Sequence, residues 1–270
     1  MKEFIFQQHY IIQTLIGSGF AWIMTSLGAA LIFFFAKVRQ GLMEVFLGFA
    51  AGVMIAASFW SLLSPSIELS EKAGLIPWIP PAIGFVLGAF FLWIMDKITP
   101  HLHLGYDESQ AEGPKTKLQK TFLIIFAITL HNIPEGLAIG VAFGSAHMIG
   151  TQEAIIGALA LAIGIGIQDF PEGFAVSAAL RASGAKPFKS FMAGQYSGLV
   201  EPIAAVFGAW LMTIISGLLP YALAFAAGAM IYVTVEELIP ESQLSGNSHH
   251  STFGLIFGFV IMMILDVALG

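Results

Sequence analysis

His131-Asn132-Ile133-Pro134-Glu135-Gly136 and Gln168-Asp169-Phe170-Pro171-Glu172-Gly173 decide how this chain folds. Each phrase follows an apolar run, residues 121–130 before the first and 154–167 before the second, long enough to reach well into a bilayer. A carboxylate at membrane depth costs at least ~2.5–3.5 kcal/mol on insertion scales. Three of them plus an imidazole ask for a compensating partner, and a cation is the simplest one.

The surroundings agree. Of 270 residues, 57% are hydrophobic and only 10% charged, against about 25% charged in a soluble domain. Repeated apolar runs of about twenty residues read as spanning helices. The expectation is an all-α integral membrane protein, one transmembrane transporter domain over 1–270. Its eight spans fall at 10–36, 43–64, 78–95, 121–144, 153–180, 190–212, 218–240 and 252–269. The N-terminus lacks a basic leader and a small-residue cleavage motif, so the first span reads as a retained helix. With no cysteine, disulfides, iron–sulfur clusters and thiolate metal sites are excluded. No nucleic-acid partner is expected.

Basic residues orient the spans. Lys37, Arg39, Lys97, Lys115, Lys117, Lys120, Arg181, Lys186 and Lys189 fall on one side; Lys2 and Lys72 fall on the other. The positive-inside rule places the larger group in the cytoplasm, so both termini face outward. The long connection, 96–120, then becomes a cytoplasmic loop. It carries His101 and His103, is polar enough to be exposed, and is a candidate for transient metal binding, although a solvated His-x-His explains it as well.

Spans four and five look like copies, their matching positions 37 residues apart. Residues four apart on a helix share a face, and residues three apart also meet. Hence His131 and Asn132 lie beside Glu135, and Gln168 and Asp169 beside Glu172. Brought together, the two helices offer two adjoining ligand sets. One is His131, Glu135, Gln168 and Glu172; the other is Asn132 and Asp169 with the same two glutamates as bridges. Pro134 and Pro171 cannot donate to the carbonyls of Leu130 and Ile167. Gly136 and Gly173 remove bulk where helices must come close.

Span six adds Glu201-Pro202, with Ser197 four residues earlier on the same face. Pro202 is expected to free the carbonyl of Gly198. Glu201 is either a further ligand of the second set or a neutral buried acid. Imidazole with carboxylates suits a borderline transition metal, and one histidine among oxygens suits a carrier that must let go. Met54 and Ser58 share a face of span two and are pathway candidates, though packing accounts for Met54. Glu68 and Glu71 follow span two on the outer side, where they would gather cations. Glu236, Glu237 and Glu241 end span seven, and His249 and His250 open span eight. These five form an exit route, a regulatory site or a solvated helix end.

The paired phrases resemble the signature of the ZIP divalent-metal transporters. The short loops and the Gln-Asp pair look most like the prokaryotic branch that includes GufA-like proteins. The resemblance covers the whole chain. It implies a bacterial inner-membrane (plasma-membrane) protein with no cofactor, which carries Zn2+, and also Fe2+, Mn2+, Co2+ or Cd2+, toward the cytoplasm. It implies a two-metal centre: His131, Glu135, Gln168 and Glu172 for one ion, and Asn132, Glu135, Asp169, Glu172 and Glu201 for the other. A further ligand from span two maps loosely onto Met54 or Ser58. It also implies a homodimer, and motion of spans one, four, five and six against two, three, seven and eight. Many relatives have histidine where this chain has Gln168 or Asp169, which favours a broad substrate range.

Two rivals differ in class. An intramembrane metalloprotease wants His-Glu-x-x-His, whereas this order is His-Asn-x-Pro-Glu with no second histidine nearby. A non-transporting metal sensor or scaffold would bind the ion without accumulating it. No Gly-x-x-x-x-Gly-Lys-Ser/Thr phrase is present, so direct ATP drive is not expected.

Overall fold

The computed structural model describes residues 5–35, 40–102, 113–115, 120–182, 184–244 and 248–269. Eight long helices account for most of them: α1 (Tyr10–Phe33), α2 (Gln40–Lys72), α3 (Ile79–Ile98), α4 (Lys120–Ile149), α5 (Gln152–Ala182), α6 (Pro187–Ile214), α7 (Leu219–Glu241) and α8 (Ser248–Leu269). Among the described residues there is no strand. By length and composition α1, α2, α3, α5, α6, α7 and α8 are each able to cross a membrane, and α4 has 30 residues.

The helices pack as four intimate pairs: α1 with α5, α4 with α6, α2 with α8 and α3 with α7. Small residues make this possible, because lipid supplies no hydrophobic drive and close van der Waals contact must do the work. At Gly173 of α5 an added Cβ would strike the Thr25 carbonyl of α1. At Gly136 of α4 it would strike the backbone of Glu201 in α6. The two motif glycines therefore seat their helices against α1 and α6, rather than against each other. The pairs fall into two groups, α1/α4/α5/α6 and α2/α3/α7/α8. The α2–α5 and α4–α7 contacts lie between them.

Three irregularities position side chains. α2 widens into a π-helical turn at Ser58–Leu63, and α7 does so at Thr234–Leu238; such turns concentrate at functional sites. α6 breaks between Ser197 and Val200. There the Gly198 carbonyl accepts from the Glu201 N–H at 3.1 Å, so it is not left free by Pro202. Ser197 closes its own short helix by donating to the Gly194 carbonyl at 2.8 Å. Glu201 thereby falls in the first turn of Val200–Ile214, at the positive end of that helix dipole.

The long connection is not exposed throughout: residues 99–102 lie against the helix ends. His101 and Leu102 are buried, the His101 ring on the Thr99 carbonyl at 2.9 Å. Leu102 packs with Leu123, Val176 and Leu180. A leucine beside the histidine is enough to draw this stretch onto the helix ends. His103 lies outside the described residues.

Candidate metal centre

α4 and α5 run through Pro134 and Pro171 without ending. They bring their polar phrases together in the middle of the bundle. One carboxylate oxygen from each of Glu135, Asp169 and Glu172 lies within 4.8 Å of the other two. Glu135, Asp169 and Glu201 are at most 1% exposed, and Glu172 7%. This burial decides the chemistry: unpaired carboxylates are not held together in a dry interior without a counter-charge or protons.

The amides complete the cluster. Gln168 Nε2 donates to Glu135 Oε1 at 2.5 Å and to Asp169 Oδ1 at 2.7 Å. Asn132 Nδ2 donates to Glu201 Oε1 at 3.2 Å. The remaining oxygens, Glu135 Oε2, Asp169 Oδ2, Glu201 Oε2, Gln168 Oε1 and Asn132 Oδ1, are buried without a hydrogen-bond partner. Five such oxygens on three helices form a donor set suited to a hard or borderline cation.

His131 is buried one helical turn from Glu135, and its Nε2 is in contact with Glu237 Oε2 from the π turn of α7. Sequence reasoning grouped Glu237 with Glu236 and Glu241 and did not link it to His131. Glu236, His249 and His250 are exposed, and Glu241 is buried near the end of α7. Met54 is buried with its sulfur 3.7 Å from the Thr234 hydroxyl. Ser58 is also buried and donates to the Met54 carbonyl at 2.7 Å.

A cavity of about 460 Å³ lies among the ends of α2, α4, α5, α7 and α8 opposite to Glu237. Ser61, Glu68, Ser145, Glu153 and Asp266 line it. Ser61 donates to Asp266 Oδ1 at 2.5 Å. Glu68 is largely exposed and pairs with Lys72 at 3.7 Å. Between this cavity and the carboxylates, α5 presents buried Leu161, Ala162 and Ile165. Asp266 lies near the end of α8, and its cavity is built from five separate helices.

Residues 103–266 match the family model described as ZIP Zinc transporter. The human "Zinc transporter ZIP11" is 38% identical, over 96% of this chain and 98% of that protein. "Zinc transporter GufA" of Myxococcus xanthus is 37% identical, over 95% and 98% respectively. "Zinc transporter ZIPB" of Bordetella bronchiseptica is also 37% identical, over 94% and 81%.

Proposed function

This chain belongs to the ZIP zinc transporter family, and from that premise we propose that it carries divalent transition-metal ions, zinc foremost, toward the cytoplasm. It is a multi-pass membrane protein. The observation that carries the reading is the buried meeting of Glu135, Asp169 and Glu172, with unpartnered oxygens of Asn132, Gln168 and Glu201 beside them. A structural cluster would satisfy those oxygens within the protein.

In this reading hydrated metal enters the cavity lined by Ser61, Glu68 and Asp266, and trades water for the oxygens of α4, α5 and α6. Glu135 and Glu172 bridge two adjoining positions. His131 with Glu237 receives the ion on its way to the cytoplasmic side. The absence of thiolate keeps affinity moderate, which a carrier needs. Iron, manganese, cobalt and cadmium are further substrates in the same proposal. So are a bacterial inner-membrane location with outward termini, a homodimer, and movement of α1/α4/α5/α6 against α2/α3/α7/α8. The protein has transport, not catalysis, as its task.

Uptake into metal-free liposomes tests this. The wild-type protein should accumulate zinc, and Glu135→Ala and Glu172→Ala should lose it by at least about 10–100-fold, the scale of losses around metal sites. Full uptake in both variants would overturn the site. Wild-type inactivity with zinc, iron, manganese and cadmium would favour a sensor or scaffold.

A further inference from the structure

We propose that the Gln168 side chain stands in for the cation before metal arrives, then turns end for end to become its ligand. This deepens the transport reading above and rests on it.

Gln168 is fully buried. Its single Nε2 serves two acids on two helices, Glu135 Oε1 of α4 at 2.5 Å and Asp169 Oδ1 of α5 at 2.7 Å. Its Oε1 is buried without a hydrogen-bond partner. An amide nitrogen is a donor, and only the amide oxygen offers lone pairs to a metal. The orientation is therefore a donor's, not a ligand's. Asn132 repeats the pattern on a smaller scale, with Nδ2 on Glu201 and Oδ1 unpartnered.

The physical consequence is specific. Two N–H bonds place partial positive charge among the carboxylates, in charge-assisted hydrogen bonds stronger than neutral ones. They hold Glu135 and Asp169 in register where like groups would otherwise part. The terminal torsion of glutamine is broad and roughly two-fold, so a turn of the amide presents Oε1 to the same space without moving a helix. Glutamate at this position would ligate without donating, and methionine likewise. The amide alone does both with no change of proton count.

Two measurements on the full chain in nanodiscs, with zinc as probe, decide it. The first is an infrared difference spectrum of wild-type protein carrying glutamine ¹³C-labelled at the side-chain carbonyl. Zinc should move one glutamine carbonyl band to lower frequency, and the change should vanish in Gln168→Glu, or in Gln168→Met if that variant does not fold. Glutamine bands that zinc leaves unmoved would overturn the proposal. The second is thermal melting of Gln168→Glu, which keeps a ligating oxygen but loses the donor. In chelator it should melt lower than wild type by on the order of 5 °C, the scale of one buried charge-assisted bond in a chain of this size. Saturating zinc should restore wild-type melting. Equal melting in chelator, or a deficit that zinc does not repair, would overturn the amide's role. A wild-type protein that zinc neither stabilises nor perturbs would instead overturn the transport site itself, and the proposal with it.

Discussion

His131 on α4 and Glu237 in the π turn of α7 are in contact, so a side chain one helical turn from Glu135 reaches across from one group of four helices to the other. Because the cavity lies at the opposite end of α4 and α7, this pair falls in the other half of the proposed path. Glu237→Ala should slow zinc uptake by roughly tenfold, the usual scale for loss of an outer partner. Zinc affinity at the central carboxylates should change far less than in Glu135→Ala. Flux assays alongside calorimetric titration check this split.

Proton competition should be visible in binding. The ligand carboxylates must be deprotonated to hold metal, so binding releases protons and acid opposes it. Zinc affinity in detergent should therefore fall steadily as pH is lowered from 7.5 to 5.5, and titrations in buffers of different ionisation enthalpy should report net proton release. Affinity that rises on acidification would contradict the carboxylate site.

The α4–α6 seam should tolerate no bulk. At Gly136 a Cβ would meet the Glu201 backbone and the Ala204 methyl. Gly136→Val should destabilise the protein by about 1–3 kcal/mol or more through overpacking, and it should displace Glu201 from the cluster. Gly19, which has open space around it on α1, is the matched control: Gly19→Ala should melt and transport like wild type. Thermal melts and flux measure both.

Orientation is directly accessible because the chain has no native cysteine. In right-side-out vesicles an impermeant thiol reagent should label Gln8→Cys and spare Ala185→Cys until the membrane is opened. The reverse pattern would invert the proposed direction of the termini.

The paired Pro-Glu-Gly phrases were legible because helix periodicity alone puts Asn132 and His131 beside Glu135, and Gln168 and Asp169 beside Glu172. Hydropathy made the eight-helix bundle legible in the same way, since apolar runs of spanning length have few other uses. The π turn at Thr234–Leu238 was not legible. It inserts extra backbone into one turn, which re-aims Glu237 in a way that counting by threes and fours cannot foresee. Nor was the burial of His101, which follows from its neighbour Leu102 finding Leu123 and Leu180 on distant helices. Gly136 and Gly173 announced close approaches that the structure contains, but a glycine does not say which helix makes the approach, and here these are α6 and α1. The donor orientation of Gln168 depends on where Glu135 sits, so no reading of residues 160–175 by themselves contains it.

An anomalous-scattering map from crystals grown with zinc, collected on both sides of the zinc edge, locates the bound ion itself. A peak is expected about 2.0–2.2 Å from carboxylate oxygens of both Glu135 and Glu172, the usual zinc–oxygen range. A map with zinc bound only elsewhere, and with Glu135 and Glu172 still held by Gln168 and by packing alone, would contradict it.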